Sequence, residues 1–527
     1  MTDKTRRARN HIRLRAAILI LLAAWLLVTG SSTVRVLAQE GPPAGSPATS
    51  GARKPNIILM LADNLGYGDL GSYGGGETRG MPTPRLDQLA NQGARFTQFL
   101  VEPSCTPSRA ALMTGRYSIR SGLSLILVVG TTNTLSAKEV TLARVLKDGG
   151  YDTAMFGKWH LGTEAQSQPQ NQGFDEFYGI LNSSDDSLHV PMMKRFHFPL
   201  PPEELQAHIV QAKAGGKLET VKPYTTDARA HIDIEIADRA VDYVKQHAQG
   251  PKPFFLYLPW TRPHYPNLTT AEFDGKSRIG PYGDCVMEMD YNVGRVLDAL
   301  KQAGIEDNTV VVFASDNGPS PGVNDIFNAG SSGPFRGELG DPLEGSLRTV
   351  GMIRWPGKIR PQVSNEMFSE MDFFPTLAKF AGAKIPTDRP IDGIDQSAYL
   401  LGQKEMGGRE SMLTFIGDQL VAVRWHQWRY YMVDVQPAGA HKIEATGVLS
   451  DFPPTAGYPL VYNIELDPRE ENPYLLATSQ FVLGPMIRVI AEYQKTLVGH
   501  PNPPAPNLTN WQTGPKAKEN EDVQSLE

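Results

Sequence analysis

Cysteine is the scarcest residue type in this chain: among 527 residues only Cys105 and Cys285 carry a thiol. That excludes a disulfide framework, and the spacing forms no CxxC pair. A basic excess is also missing, because 51 Lys and Arg stand against 57 Asp and Glu, for a formal charge of −6. With no basic stripe, zinc-finger spacing or Gly-rich phosphate fingerprint, nucleic acid is set aside as a partner. No internal repeat is present. What remains is an ordinary globular composition, 40% hydrophobic and 20% charged, in a chain long enough for one large core or two unequal ones.

The N-terminus carries Lys4, Arg6, Arg7, Arg9, Arg13 and Arg15, followed by an apolar run from Ala16 to Val28. This run is short for a membrane span and fits the hydrophobic region of an export signal. Small residues at Val36-Leu37-Ala38 suit cleavage before Gln39, so residues 1–38 are expected to be a signal peptide. The product would be periplasmic or secreted. An uncleaved membrane anchor is the alternative, since Gly30 to Val34 could lengthen the span. Residues 39–53, rich in Pro, Gly, Ala and Ser, follow as a linker.

Short apolar runs then alternate with helical patterns, which predicts an α/β sheet with crossover helices over residues 54–400. The clearest strands are Asn56–Ala62, Tyr151–Phe156, Phe254–Leu258, Thr309–Ala314 and Val350–Ile353. Helices are expected over 281–302, closed by Gly304, and around 139–148, closed by Gly149-Gly150. Cys285 falls in the first of these beside Val286, Met289 and Val293, and reads as core packing. Residues 188–230 read as a long irregular insertion facing the substrate. Residues 401–500 change texture. Val421–Trp425, Tyr430–Val433 and Leu460–Ile464 predict short antiparallel strands, with a helix over Ser479–Leu497 packed on them. Residues 501–527 read as a disordered tail.

Polar residues follow the apolar strands in a pattern. Asn56–Ala62 runs into Asp63-Asn64, and Thr309–Ala314 runs through Ser315 into Asp316-Asn317. Tyr151–Phe156 leads to Lys158 and His160, and Phe254–Leu258 leads to Arg262 and His264. In an open α/β sheet the C-terminal strand ends are where ligands bind. Two Asp-Asn pairs offer oxygen ligands, which suit Ca²⁺ or Mg²⁺ better than zinc. Cys105 is expected in a loop before a helix, with Thr106 as N-cap, Pro107 at the first helical position and Gly115 at the stop. A helix N-terminus there favours an anion, and Arg109 lies about one turn in, able to reach back.

Taken as a string, Cys105-Thr-Pro-Ser-Arg109-Ala-Ala-Leu-Met-Thr-Gly-Arg116 resembles the signature of the sulfatase family. Leu61-Ala-Asp-Asn-Leu-Gly-Tyr-Gly-Asp-Leu-Gly71 is similar to the family's first metal loop, and Gly157-Lys-Trp-His-Leu-Gly162 to its second signature. Phe313–Gly318, Arg354–Gly357, Asp372–Thr376 and Tyr462–Pro468 also match, in order, over about residues 54–475. The resemblance implies an alkaline-phosphatase-like fold: a large mixed, mostly parallel sheet sandwiched by helices, with the C-terminal antiparallel sheet appended. It further implies that a maturation enzyme oxidises Cys105 to formylglycine, whose hydrate attacks sulfur in a small-molecule or carbohydrate sulfate ester. By the same resemblance Asp63, Asn64, Asp316, Asn317 and modified Cys105 would hold Ca²⁺. Arg109 would steady the hydrate and Lys158 would bind sulfate. His264 would contact the substrate and protonate the leaving oxygen, and His160 would drive collapse of the hydrate.

Two positions depart from the family pattern. Asn64 stands where a second Asp is usual, and Leu339, in Arg336-Gly-Glu-Leu-Gly340, stands where a sulfate-binding lysine is usual. Sulfate is then expected to lean more on Ca²⁺ and Lys158, with Arg336 or Arg262 reaching in. The departures keep two further readings open: a phosphonate or phosphate-diester hydrolase on the same scaffold, and a non-catalytic anion- or glycan-binding relative.

Overall fold

The structure, a computed structural model, describes residues 53–128, 133–200, 206–320, 329–432, 460–474 and 476–505. The expected signal, nearly all of the linker and the tail beyond residue 505 lie outside these. Among the described residues no helix is long and apolar enough to cross a membrane.

Eleven strands form the main sheet: β1 (Asn56–Asp63), β2 (Ala94–Leu100), β3 (Asp152–Lys158), β4 (Glu176–Ile180), β5 (His208–Lys213), β6 (Glu219–Pro223), β7 (Phe254–Pro263), β8 (Thr309–Ser315), β9 (Arg348–Thr349), β10 (Gly351–Arg354) and β11 (Gln362–Ser369). Their order is β11-β2-β10-β8-β1-β7-β3-β4-β5-β6, with β9 pairing to β2. The centre, β8-β1-β7-β3-β4, is parallel throughout. Only β5, β9 and β10 run against the rest, as expected of a mostly parallel sheet.

Alternation along β1 explains the sandwich. Ile58, Met60 and Ala62 enter one core, with the helices Pro84–Gln92, Thr226–His247 and Pro281–Gln302. Ile57, Leu59 and Leu61 enter the other, with the helices Cys105–Thr114, Leu142–Asp148 and Phe373–Ala381. A strand buried on both faces must be apolar throughout, and this one is. Cys285 is fully buried in the first core's helix Pro281–Gln302.

The C-terminal sheet has four antiparallel strands, β12 (Ser411–Ile416), β13 (Gln419–Trp425), β14 (Trp428–Tyr431) and β15 (Leu460–Asn463). Val482, Met486 and Tyr493 of the helix Leu476–Leu497 pack on Leu413, Phe415 and Val423, in a cluster that also takes in Leu100, Ala111 and Tyr117. The same junction buries Glu344 among Arg348, Arg424 and Arg429.

One expectation fails. The described part of residues 188–230 is not irregular: it holds a short helix, His189–Arg195, and the β5–β6 hairpin, and Thr225 caps the helix from Thr226. The pattern hid there because β6 sits at the sheet edge, where Glu219, Thr220 and Val221 are exposed and apolar alternation is lost. The stretch Asp372–Thr376 forms a joint between elements. Asp372 accepts the N–H groups of Ser369 and Ile394 and pairs with buried Arg409.

Candidate active site

Strand register gathers the polar strand ends. Asp63 pairs across to Pro263, and Ala62 to Ser315, so the residues leaving β1, β7 and β8 emerge together. A strand's two-residue period puts Asp63 on the face of Leu61 and Asp316 on the face of Ala314. Both belong to the core that holds the Cys105 helix. In β3, Gly157 has φ +139, and a Cβ there would lie 1.9 Å from the Pro259 carbonyl oxygen. Only glycine lets β3 approach β7 this closely just before Lys158. Asn64 and His160 hold positive φ values of 65° and 58°. Such left-handed conformations in non-glycine residues concentrate at functional sites.

The helix begins two residues earlier than the sequence suggests. Cys105 is its first residue, and Ser104 takes the N-cap position without a side-chain cap. Thr106 is therefore not the cap: its hydroxyl donates to the His160 carbonyl at 3.1 Å and accepts from the Leu127 N–H. It ties the Cys105 helix to the His160 loop. Cys105 Sγ lies 3.5 Å from both Asp63 Oδ1 and Asn64 Oδ1. Burial pushes the thiol well above its ordinary pKa, with Asp316 and Asp63 pushing the same way and Lys158 and Arg109 opposing. Position 105 therefore carries a protonated thiol, a weak nucleophile.

Two carboxylates face two cations, all fully buried. Lys158 Nζ donates to Asp63 Oδ2 at 2.8 Å. Arg109 turns into the same cluster, where its charge acts on the thiol. Its Nε and Nη2 donate to Asp316 Oδ2 at 3.1 and 2.8 Å, its Nη1 donates to the Lys158 carbonyl, and Nη2 lies 3.5 Å from Asp63. Burial opposes ionisation of Asp63, but Lys158, His264 and Arg109 outweigh it and hold this carboxyl well below the usual range. Asp316 moves the other way, raised by burial and by the charge on Asp63. A further cation beside them would favour the ionised form of both.

The donor chemistry fits such a cation. Asp63, Asn64, Asp316 and Asn317 offer oxygens, and Asn317 Oδ1 is buried with no hydrogen-bond partner. Asn317 Nδ2 donates to Asn64 Oδ1 at 2.7 Å, and the Asn64 N–H donates to Asp316 Oδ1 at 3.0 Å, so the four residues form one cluster. An oxygen-only set suits a hard divalent ion. Asp63, Cys105 and His264 also offer ligand atoms within 4.8 Å of one another, but a protonated thiol makes that mixed set the poorer one.

The histidines are set by carbonyls. His160 Nε2 lies 2.9 Å from the Leu127 oxygen and must donate, leaving Nδ1 as a buried acceptor without a partner. Burial pushes its pKa well down, helped by Lys158. His264 likewise uses Nδ1 on the Tyr265 carbonyl, which leaves Nε2 for exchange with a substrate.

Arg262 does not reach in for the missing lysine. β7 runs to Pro263, and its alternation puts Arg262 on the Trp260 face, where it pairs with Asp233 and Glu288 at 2.8 and 2.6 Å. Arg336 donates to the Glu470 carbonyl at 2.6 Å. Leu339 is buried, its N–H on the Pro319 carbonyl and the next N–H on Pro103. It lies between the loop after Asn317 and the loop before Cys105. By the resemblance, Asn64 would remove a negative charge and Leu339 a positive one, leaving the net charge of a site that holds both unchanged. Opposite charges in contact at an effective dielectric near 20 interact by about 4 kcal/mol. Asn64→Asp alone is expected to tighten Ca²⁺ binding and slow turnover, and adding Leu339→Lys to recover much of the loss. Calcium titration and initial rates on the double-mutant cycle check this; additive effects would separate the two positions.

A fifth strand end was missed. β4 is parallel to β3 and delivers Ser184, whose hydroxyl shares its one proton between Asp63 Oδ2 at 3.2 Å and the Thr261 carbonyl at 3.3 Å. Asp185 follows, its carboxyl held down against burial by the nearby His264. The signal available was Asn182-Ser-Ser-Asp-Asp186, a polar run directly after an apolar strand.

Comparison with known proteins agrees with this geometry. The sulfatase family model matches residues 55–383. Steryl-sulfatase of Homo sapiens is 33% identical over 499 residues, covering 80% of this chain and 84% of that protein. Arylsulfatase A of Homo sapiens is 40% identical over 367 residues, 67% of this chain and 68% of that protein. Among solved structures, the PsFucS1 sulfatase from Pseudoalteromonas sp. superposes with a TM-score of 0.79 at 30% identity, covering 86% of this chain and 92% of that one. With the fold, the matched span and the relatives in agreement, the chain belongs to the sulfatase family of alkaline-phosphatase-like enzymes and is a sulfuric ester hydrolase.

Proposed function

We propose that sulfate esters are cleaved at position 105 after oxidation of Cys105 to formylglycine, with Ca²⁺ held by Asp63, Asn64, Asp316, Asn317 and the modified side chain. The observation that carries this is the misfit of the thiol. A soft, protonated sulfur lies 3.5 Å from two hard oxygen donors, where an oxygen-bearing group would complete the set. When present, the hydrated aldehyde supplies two hydroxyls on one carbon, and the ion supplies Lewis acidity.

The chain's own residues do the rest. Lys158 brings a buried positive charge to the sulfate oxygens. Arg109 orients Asp316 through two donated hydrogen bonds and keeps the Lys158 backbone in place. His160 presents an acceptor nitrogen able to take a proton from position 105. His264 gives a proton to the leaving oxygen. Met192, Phe196, Phe198 and Leu200, exposed just beyond the Ser184 loop, are candidates to contact the body of a small-molecule or carbohydrate leaving group.

Residues 54–400 form the proposed catalytic domain and 401–500 its C-terminal subdomain. A cleaved signal at 1–38 would export the protein. Because Cys105 is 1% exposed, the maturation enzyme would have to act before folding is complete. Rates on nitrophenyl sulfate and on a nitrophenyl phosphate diester, measured side by side, test the reaction class. A preference for sulfate of at least about tenfold in kcat/KM, or about 1.4 kcal/mol, is expected. The reverse preference would favour the diesterase reading.

A further inference from the structure

We propose that Arg229 is the positioning residue for the proton donor: its guanidinium grips the backbone on both sides of Arg262-Pro263 and so fixes where the His264 ring stands. The inference rests on the reading of His264 as general acid. Arg229 is fully buried one turn into the helix Thr226–His247. Its Nη2 donates to the Thr261 carbonyl at 3.0 Å and to the His264 carbonyl at 2.7 Å. Its Nη1 donates to Thr261 Oγ1 at 2.7 Å. That hydroxyl then donates to Asp233, which lies one helical turn further on. Asp233 also accepts the Thr261 N–H at 3.0 Å and Arg262 Nη1 at 2.8 Å.

One helix face thus holds the end of β7 from two sides. Arg229 takes carbonyls and a hydroxyl; Asp233 takes N–H groups. A planar guanidinium with fixed donor directions suits a task that needs two carbonyls held at once. The helix belongs to the core opposite the Cys105 helix. Cys105, Lys158 and Asp316 come from other elements, and Asp63, although it faces the end of β7, is also held by Lys158, so loosening Arg229 should largely spare sulfate binding and attack on sulfur. It should weaken proton donation, which matters in proportion to the basicity of the leaving group.

The test is the slope of log kcat/KM against leaving-group pKa for Arg229→Lys and Arg229→Ala, with thermal melts confirming that each is folded. Arg229→Lys keeps the charge but not the fork, so it remains informative if the alanine variant fails to fold. The expected result is a steeper slope: a loss of at least about tenfold on alkyl sulfates and less than about threefold on nitrophenyl sulfate, within the range general-acid help supplies. Placing Arg229→Lys on His264→Ala should then cost nothing further on alkyl sulfates. Equal losses across leaving groups in Arg229→Lys, with a steep slope in His264→Ala, would overturn the positioning role alone. A flat slope in His264→Ala would instead remove the general-acid reading beneath it.

Discussion

Cys105→Ala is expected to abolish turnover while leaving the fold intact. The side chain is buried, but its Sγ meets the oxygens of Asp63 and Asn64 rather than the apolar core. Removing it therefore costs little packing, and the helix Cys105–Thr114 keeps its buried face. Activity should fall by several orders of magnitude, because no other group in the cluster can form the covalent bond to sulfur. Retention of more than about one hundredth of wild-type kcat/KM would contradict the assignment. Cys105→Ser should fail differently. A serine can be sulfated but has no second hydroxyl on the same carbon to expel the sulfate. Mass spectrometry after incubation with substrate is expected to show sulfate trapped on that serine.

The second large effect is selective. His264→Ala should reduce kcat/KM on alkyl or sugar sulfates by about 10²- to 10⁴-fold and barely change it on nitrophenyl sulfate. A departing alkoxide needs a proton, whereas a stabilised phenolate leaves without one. The dependence on pH has a definite sign. The donor must be protonated, so activity on basic leaving groups falls as pH rises through the pKa of His264. Burial lowers that pKa, partly offset by Asp63, so the fall begins below the pH at which a free histidine would lose its proton. The same limb should vanish in His264→Ala. Equal losses on both substrate types would take the leaving-group role away from this residue.

The candidate site's edge was legible because parallel strands buried on both faces read as apolar runs, and the polar residues that follow each run mark one edge of the sheet. Asp63, Asp316, Lys158 and His264 were all found this way. Direction within the edge was harder. Arg262 looks like a pocket residue until β7 is known to extend through it, after which alternation sends it to the opposite face, toward Asp233 and Glu288. Arg229 left no local trace, because its partners lie 32 and 35 positions away on another element, and an arginine near a helix start reads as surface. The β5–β6 hairpin escaped for a related reason: an edge strand with exposed polar residues has no apolar period to detect. Asn64 and Leu339 were visible as departures, but what surrounds Leu339 depends on two loops from distant strands meeting around it.

The most direct test of position 105 is the mass of one peptide. Cleavage after Arg95 and Arg109 releases Phe96–Arg109, which carries Cys105 and no other cysteine. Taken from active protein and compared with its activity over several preparations, this peptide is expected to contain an aldehyde in place of the thiol, in a fraction that rises in proportion to kcat. Full sulfatase activity from protein whose Cys105 is an unmodified thiol throughout would contradict the account.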